Sequence, residues 1–475
     1  MTIVWFRQDL RISDNPALAT AAARGPVIPL YILDDVTPGA WRAGAASRWW
    51  LHHSLKRLEE TLGGIVYLRG DPRELLPALV ERTGATAVHW NRCYEPTAIA
   101  RDRTIKGDLQ QAGIEVQSFN ASLLHEPWEV ATRGGDPFKV YTPYWRASLQ
   151  LPVPRPMPAP MPKPDLLRVE GESLDAWALL PAKPNWASGW DTIWQPGEDG
   201  ARDQFEAFVN ESLSGYARQR DRPDGTYTSR LSPHLHFGEI SPRQIWARLF
   251  FLREDTANRH NADKFLAEIG WREFCHHLLF YYPTLPEQNW RPAFDAYPWR
   301  DSMADLTTWQ KGMTGYPLVD AGMRELWQTG WMHNRVRMIA ASFLVKHLRL
   351  DWRLGEAWFW DTLVDADLAN NAAGWQWVAG SGADAAPYFR IFNPDVQGRE
   401  FDPDGSYVRK WCPELNSLPD DLIHAPFTAP AGILASAGVE LGRTYPLPIV
   451  DHKLARDAAL RSYREVTAKL DQYEA

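Results

Sequence analysis

The sequence predicts an α/β domain with a doubly wound parallel sheet, followed by an all-α domain. In the amino-terminal part, short runs rich in β-branched and aromatic residues alternate with helical patterns. Beyond residue 202 the strand patterns stop and the helical ones continue. A chain of 475 residues is also long enough for two or more domains with separate cores. We therefore expect residues 1–130 to form the α/β domain, residues 131–201 a linker and residues 202–475 the all-α domain.

The alternation defines the elements of the first domain in order. Strands are predicted at residues 3–6, 27–33, 65–68, 86–90 and 114–119. Helices are predicted at residues 16–23, 47–62, 72–83 and 98–112. Asp71 suits the N-cap of the third helix, and Pro72 suits its first position. Right-handed crossovers would make the sheet parallel. The domain contains neither a G-x-G-x-x-G nor a G-x-x-x-x-G-K-[ST] sequence, so no nucleotide-binding fingerprint marks a ligand site there.

A proline-rich run, residues 151–164, separates the two predicted domains. Proline removes backbone donors and favours extended geometry, so we expect a semi-rigid spacer. A ligand for proline-recognition domains is the alternative. Irregular chain should continue to near residue 200, and its tryptophans should hold it against the neighbouring structure; they are Trp177, Trp186, Trp190 and Trp194.

The second domain is predicted to consist of helices. The main helical patterns are residues 205–213, 241–253, 262–281, 306–311, 317–328, 332–350 and 356–363. In the pattern at 332–350, apolar residues recur at helical spacing and should enter the core; they are Val336, Ile339, Ala340, Phe343 and Leu344. Asn334, Arg337 and Met338 lie on another face. That face is either the wall of a polar pocket or an ordinary solvated helix surface.

Composition restricts the class of protein. No apolar run approaches the ~20 residues that span a membrane, and the amino terminus lacks a signal-peptide layout, so we expect a cytoplasmic protein. Three widely separated cysteines match neither a disulfide framework nor a zinc site, and no metal is predicted. The net charge of −8 argues against a wholly basic nucleic-acid binder. It still permits a local basic patch built from Arg335, Arg337, Lys346, Arg349 and Arg353.

Two local features suggest ligand chemistry. The run T-S-R-L-S at 228–232 places hydroxyls and backbone N–H groups before a helix, which suits phosphate binding as well as simple helix capping. The chain also has 24 tryptophans, more than a core needs, and many cluster between residues 299 and 377. Such indoles serve packing, electron transfer or the binding of flat ligands.

Six motifs in one order resemble the photolyase/cryptochrome family of flavoproteins over nearly the whole chain. They are WFRQDLRISDNPAL at 5–18, TSRLSPHLHFG at 228–238, WREF at 271–274, TGYPLVDAGMREL at 314–326, WMHNRVRM at 331–338 and DADLANNAAGWQW at 365–377. The resemblance implies light-driven reversal of pyrimidine dimers in DNA with FAD as the redox centre. It also implies a monomer that binds DNA containing such dimers.

The resemblance assigns residues to the cofactor. The phosphate and ribose portion of FAD would contact Tyr216, Thr228, Ser229, Arg230, Leu231 and Ser232. Arg337 and Asp365 would flank the isoalloxazine, with Ala366 beside them and Asp367 on the polar edge. Asn371 matches the residue that faces flavin N5, where asparagine is typical of photolyases. Trp375, Trp352 and Trp299 match the family's electron-transfer series from the flavin to the surface.

The resemblance also assigns a substrate cavity. Glu268 and Trp271 match the carboxylate and aromatic wall of cyclobutane-dimer enzymes. Other lesion and DNA contacts would come from Asn334, Arg335, Met338, Trp377 and Gln397. A flipped dinucleotide needs flat walls and a few donors, which this set provides. The related (6-4) photolyases carry histidine where this chain has N-R-V-R-M, so cyclobutane dimers are the expected substrate.

The antenna is where the sequence departs from the family. Enterobacterial-type enzymes contact folate with an Asn-Glu pair, and Thr97 and Ala98 occupy those positions here. A reduced folate such as methenyltetrahydrofolate would then stack elsewhere, on Trp41, Trp49, Trp50 or Trp90. A deazaflavin is the alternative antenna.

A cryptochrome-type blue-light photoreceptor is the alternative function. It would share the fold and FAD but act through a signalling partner. Asn371 and the end of the sequence at Ala475, without a long polar tail, favour the enzyme.

Overall fold

The computed structural model describes residues 1–161, 165–253, 256–385, 387–388 and 390–473. The chain divides into two compact units. The first unit comprises Met1–Ala217, Ser229–Pro283 and Val364–Asn370. The second unit comprises Arg218–Thr228, Thr284–Leu363 and Asn371–Ala475. Each unit therefore contains segments that are distant in sequence.

A five-stranded parallel sheet forms the centre of the first unit's amino-terminal part. Its strands are β1 (Thr2–Phe6), β2 (Val27–Leu33), β3 (Val66–Arg69), β4 (Ala87–Asn91) and β5 (Glu115–Phe119). The spatial order is β3-β2-β1-β4-β5, with Val4 aligned to Pro29 on one side and to His89 on the other. Strands β1, β2 and β4 are almost continuously buried, as expected for a parallel sheet covered on both faces. All five predicted strands are confirmed.

Four helices connect these strands: α1 (Pro16–Ala22), α2 (Ala45–Leu62), α3 (Pro72–Thr83) and α4 (Pro96–Gln111). Asn15 caps α1 by accepting from the N–H of Leu18, and Asp71 caps α3 by accepting from the N–H of Arg73. Pro72 is the first residue of α3, as predicted. The predicted α/β fold class is therefore confirmed in this part of the chain.

Six further helices follow: α5 (Tyr141–Ser148), α6 (Glu198–Ala207), α7 (Tyr216–Gln219), α8 (Ser232–His236), α9 (Pro242–Leu252) and α10 (Thr256–Tyr281). Helix α5 was not predicted, because residues 131–201 were assigned to a linker; the helix has Pro143 in its first turn. Proline is compatible with a first helical turn, where its missing N–H would have no helical acceptor. Trp177 packs against Tyr31 and Tyr67, as the prediction of tryptophan anchoring required. The last three residues of the proline-rich run, 162–164, lie outside the described residues.

Nine further α-helices among the described residues build most of the second unit. They are α11 (Met303–Gln310), α12 (Pro317–Thr329), α13 (Asn334–Ser342), α14 (Trp352–Thr362), α15 (Leu368–Ala379), α16 (Pro394–Phe401), α17 (Ser406–Trp411), α18 (Ala431–Ser436) and α19 (His452–Tyr473). The predicted helix at 332–350 is shorter, because a π-helical turn at Phe343–His347 follows α13. Its predicted core residues are all buried. Among the described residues, no helix is both long and apolar enough to cross a membrane.

Candidate functional site

In the first unit, α10 presents the predicted carboxylate and aromatic wall. Glu268 is half-buried, and Trp271 stacks on Tyr141 of α5 with ring centroids 3.8 Å apart and an interplanar angle of 9°. The Tyr141 hydroxyl donates to the Ala267 carbonyl at 2.6 Å and so fixes α5 against α10. Gly270 permits this approach, because a Cβ there would lie 2.6 Å from the Trp145 ring. The unpredicted helix α5 thus supports the aromatic wall.

The buried acidic turn before α15 also belongs to the first unit. Asp365, Ala366 and Asp367 are all buried. Asp367 accepts through Oδ1 from the backbone N–H and the side-chain amide of Asn370, at 2.9 and 2.6 Å, and so caps α15. Its Oδ2 lies 3.4 Å from His276 Nε2. Burial alone would raise the pKa of Asp367, but nearby histidine charge and hydrogen bonds hold it well below its usual value.

The predicted phosphate loop precedes α8. Ser229 Oγ accepts from the N–H of Leu231 at 3.4 Å, and Gln204 donates to the Ser229 carbonyl at 3.0 Å. Arg230 has a left-handed backbone with φ of 51°, and its guanidinium lies 4.4 Å from the Trp194 ring centroid. Ser232 is the first residue of α8. The local hydrogen bonds and the turn at Arg230 define the shape of this loop.

Two other residues assigned to the same cofactor portion flank the loop in sequence. Tyr216 is buried against Phe208 and Phe265, with centroids 5.5 and 5.3 Å away. Thr228 is half-buried and is the last residue of its segment in the second unit.

The second unit holds the predicted polar face at the start of α13. Asn334 is exposed, and its Nδ2 lies 3.9 Å from Met338 Sδ. Arg335 pairs with Asp221 at 2.9 Å and lies over the Phe401 ring. Arg337 donates from Nε to the Met332 carbonyl at 2.7 Å. Asn334, Arg337 and Met338 therefore lie away from the buried side of the helix, as the sequence predicted, and Arg335 adds a second guanidinium outside the core.

Asn371 is buried, and its side-chain N–H donates to the Glu356 carbonyl at 3.0 Å. This bond orients the amide, because it turns Oδ1 away from Glu356. The Glu356 carboxyl is only 1% exposed, and its Oε1 has no hydrogen-bond partner among the described residues. Burial and the charge of Glu287 raise the pKa of Glu356 to about 9. We therefore expect the Glu356 carboxyl to be neutral at pH 7, while the backbone carbonyl of the same residue holds the Asn371 amide.

The three tryptophans of the predicted electron-transfer series lie in the second unit. Trp375 packs edge-on against Phe359 and Trp309, with centroids 5.0 and 6.2 Å away. Trp352 is fully buried and donates from Nε1 to Asn289 at 3.0 Å. Trp299 is half-buried beside Tyr297, with centroids 4.3 Å apart. Exposure thus increases from Trp375 and Trp352 to Trp299.

The structure changes the predicted basic patch. Lys346 is buried rather than solvent-facing, donates to the Arg390 carbonyl at 3.1 Å and lies over the Tyr388 ring. Burial, with the nearby Arg390 charge, lowers the pKa of Lys346 to about 7. Arg353 pairs with Asp351 at 3.0 Å. Lys346 therefore cannot contribute to a solvent-facing phosphate contact, because the π-helical turn directs it inward.

The remaining predicted DNA contacts, Trp377 and Gln397, are both half-buried. Gln397 donates to Glu400 at 3.1 Å. In the antenna region Thr97 is exposed and Ala98 is buried. Trp49, Trp50 and Trp90 are packed in the interior of the first unit, so stacking a pterin on them is not compatible with this packing; of the four candidates only Trp41 is half-exposed.

Sequence reasoning missed several partners of these residues. His276 was not assigned to the site, yet it faces Asp367. Glu356 and Tyr141 were not identified, because their roles depend on contacts far along the chain. An unpredicted cluster of Asp224, Asp402 and Asp404 places carboxylate oxygens within 4.8 Å of one another, and Arg222 pairs with Asp224 within it.

The chemistry of the donor set fits FAD. Hydroxyls and guanidiniums suit the diphosphate, whereas buried carboxylates can accept from flavin N–H groups. In the first unit these donors and acceptors are Ser229, Arg230, Ser232, Asp365 and Asp367, and in the second unit they are Thr228 and Arg337.

Comparisons with known proteins give a consistent result. The family model for DNA photolyase matches residues 2–164, and that for the FAD binding domain of DNA photolyase matches residues 265–465. A deoxyribodipyrimidine photo-lyase of Agrobacterium fabrum is 52% identical over 472 residues, or 98% of each protein. Cryptochrome-1 of Arabidopsis thaliana is 40% identical over 490 residues, covering 100% of this chain and 71% of the cryptochrome. The crystal structure of a bacterial class III photolyase from Agrobacterium tumefaciens is similar with a TM-score of 0.95 and 51% identity, covering 98% of each chain.

Proposed function

The chain belongs to the photolyase/cryptochrome family, and from this premise we propose that it is a deoxyribodipyrimidine photo-lyase that repairs cyclobutane pyrimidine dimers in DNA under light. The observation that carries the proposal is 52% identity to a photo-lyase over 98% of both proteins. The cryptochrome relative is more distant, at 40% identity.

FAD is the redox cofactor, supported by the match to the FAD binding domain of DNA photolyase. We propose that Tyr216, Thr228, Ser229, Arg230, Leu231 and Ser232 contact its phosphate and ribose portion. Arg337, Asp365, Ala366, Asp367 and Asn371 would contact the ring. When reduced and excited by light, FAD would supply an electron to the dimer and take it back once the dimer has split. Trp375, Trp352 and Trp299 would relay electrons from an external reductant to FAD that has become oxidised.

The residues assigned to the substrate cavity would contact the dimer. Trp271, rigid on Tyr141, offers a flat wall for the unstacked bases. Glu268 would hydrogen-bond the polar edge of the dimer, and Asn334 and Met338 would contact its other parts. Arg335, Trp377 and Gln397 would contact the DNA. A flavin-storage or DNA-structural protein without catalytic activity would have no role for Glu268, Asn334 and Met338.

The remaining assignments extend this proposal. Residues 1–130 would carry an antenna, a reduced folate or a deazaflavin, residues 131–201 would link the domains, and residues 202–475 would bind FAD and DNA. The protein would act as a cytoplasmic monomer.

Repair of an oligonucleotide containing one thymine dimer tests the proposal directly. The purified, reduced protein should restore the thymines under blue light and leave the dimer intact in the dark. An oligonucleotide containing a (6-4) photoproduct is the matched substrate control and should remain unrepaired. Bound flavin without any dimer repair would favour the photoreceptor alternative, whereas a protein that cannot bind FAD would contradict both functions.

A further inference from the structure

His276 has an unusual pair of neighbours for a buried histidine. Its Nδ1 lies 2.9 Å from the Arg272 carbonyl one turn earlier on α10, and its Nε2 lies 3.4 Å from Asp367 Oδ2. The side chain is only 7% exposed. A backbone carbonyl can only accept a hydrogen bond, and so can an ionised carboxylate. A neutral imidazole would aim a lone pair at one of these oxygens, whereas a doubly protonated ring donates to both.

The adjacent His277 shows the opposite arrangement. Its Nε2 accepts from the N–H of Phe138 at 3.0 Å, and its Nδ1 lies 3.2 Å from the Pro127 carbonyl. One donor and one acceptor match a neutral ring. Burial lowers the pKa of His277 to about 4, in agreement with that arrangement. Two neighbouring histidines on one helix therefore have opposite requirements for protons.

The charges around His276 support the protonated state. Burial alone would lower the pKa of His276, but Asp367 and the Arg272 carbonyl outweigh burial and the Arg272 charge, so the pKa rises. Asp367 can remain ionised because its Oδ1 accepts two hydrogen bonds from Asn370. The other titratable neighbours are His236, with Nδ1 3.7 Å from Asp367 Oδ2, together with Glu273 and Cys275.

We propose that His276 is a positioning residue, held as an imidazolium that keeps the Asp367 carboxylate ionised and fixed in direction. Asp367 is thereby held at both oxygens: Asn370 at the start of α15 donates to Oδ1, and His276 faces Oδ2. The consequence for FAD rests on the proposed function: the cation of His276 offsets the charge of Asp367 beside the ring, so that the site remains favourable for the electron-rich reduced cofactor.

Protonation of His276 can be measured in the full chain, with and without bound FAD, by ¹⁵N NMR of the histidine rings. The His276 signals are identified by their loss in H276Q. Both ring nitrogens should have imidazolium shifts at neutral pH, whereas the His277 signals, identified with H277Q, should be those of a neutral ring. In D367N the His276 ring should be neutral under the same conditions. A neutral His276 ring in the unmodified protein would overturn the proposal.

The midpoint potential of bound FAD is the second measurement. Loss of the positive charge in H276Q should make the potential more negative, and H276R, which restores a fixed charge, should return it towards the original value. H277Q should leave it unchanged. An unchanged potential in H276Q would overturn the positioning role even where the imidazolium is observed. Failure of the original protein to bind FAD would contradict the proposed function instead, because the NMR measurement of the ion pair does not depend on FAD.

Discussion

Glu268 is the residue whose substitution best separates a repair enzyme from a receptor of the same fold. It lies half-buried on α10, one turn before Trp271. A carboxyl group that stabilises the electron-bearing dimer acts more on the reaction than on binding. We expect Glu268→Gln to lower the quantum yield of repair by roughly fivefold, or on the order of 1 kcal/mol, with a smaller change in dimer affinity.

The comparison requires yield and affinity to be measured on the same dimer oligonucleotide. Asp263→Asn is a suitable control, because Asp263 is a partly exposed carboxylate earlier on the same helix and pairs with Arg253. Equal yields for the Glu268 variant and the unmodified protein, with equal affinities, would place Glu268 outside the active cavity.

Glu356 gives a prediction about stability. Its pKa rises from 4.5 in the unfolded chain to about 9 in the fold, so folding favours the neutral acid. The resulting destabilisation is absent below pH 4.5, grows as the pH rises, and is complete above pH 9. Glu356→Gln should therefore raise the free energy of unfolding at pH 7, by up to about 3 kcal/mol.

Urea unfolding at pH 5 and pH 8 checks this expectation. The free energy of unfolding of the Glu356 variant should exceed that of the original protein by more at pH 8 than at pH 5. Asp361→Asn changes an exposed carboxylate on the same helix, and its effect on the free energy of unfolding should be the same at pH 5 and pH 8. A gain that is the same at both pH values would contradict the buried neutral acid.

Helix α14 packs closely against Trp375 and Leu344 at Gly355. A Cβ on Gly355 would lie 2.1 Å from Trp375 Cη2 and 2.6 Å from Leu344 Cδ2. Gly355→Ala should therefore destabilise the protein by about 1–3 kcal/mol through overpacking, despite the better helix propensity of alanine. Because the displaced ring is Trp375, photoreduction of FAD should also slow.

Gly374 provides the matched control for that substitution. It precedes Trp375 on α15, is exposed, and would place a Cβ in open space. Gly374→Ala should be neutral or stabilising by up to about 1 kcal/mol. Thermal unfolding and the rate of photoreduction distinguish the two variants. A Gly355 variant that matches the Gly374 variant in both measurements would contradict tight packing around Trp375.

Elements were predictable where local pattern and tertiary packing agree. The strands and helices of the first domain alternate in period, and caps such as Asp71 mark their ends, so their bounds were predicted within two residues. Helix α5 was missed because residues 131–201 were assigned to a linker, and the stacking of Tyr141 on Trp271 is a tertiary contact that local pattern does not reveal. The π-helical turn at Phe343–His347 was missed for the same reason: periodicity continues through it while the side chain of Lys346 turns inward.

For the whole molecule, the residues assigned to the site came from motifs, but their partners came from the fold. Asn371 was identified by its motif, and its orientation depends on the Glu356 carbonyl, 15 positions earlier. Asp367 was likewise identified, whereas His276, 91 positions earlier, contributes its charge only once the chain is folded. The acidic partners of the predicted basic patch could not be identified from the sequence either, because they pair with it only in the folded chain.

The balance of charges also affects the affinity of the protein for DNA. The net charge is −8, yet Arg335 would contact phosphate, so affinity for dimer-containing DNA should fall with salt by roughly 0.9 logarithmic units per phosphate neutralised for each unit of log salt. Arg335→Gln should weaken binding and reduce this slope by about 1.

Asp221, which pairs with Arg335 at 2.9 Å, competes with phosphate, so Asp221→Asn should strengthen binding at every salt concentration. Arg202→Gln, at an exposed arginine of α6, is the control and should leave the slope unchanged. A flat salt response in the unmodified protein, or equal slopes in the Arg335 and Arg202 variants, would contradict phosphate anchoring by Arg335.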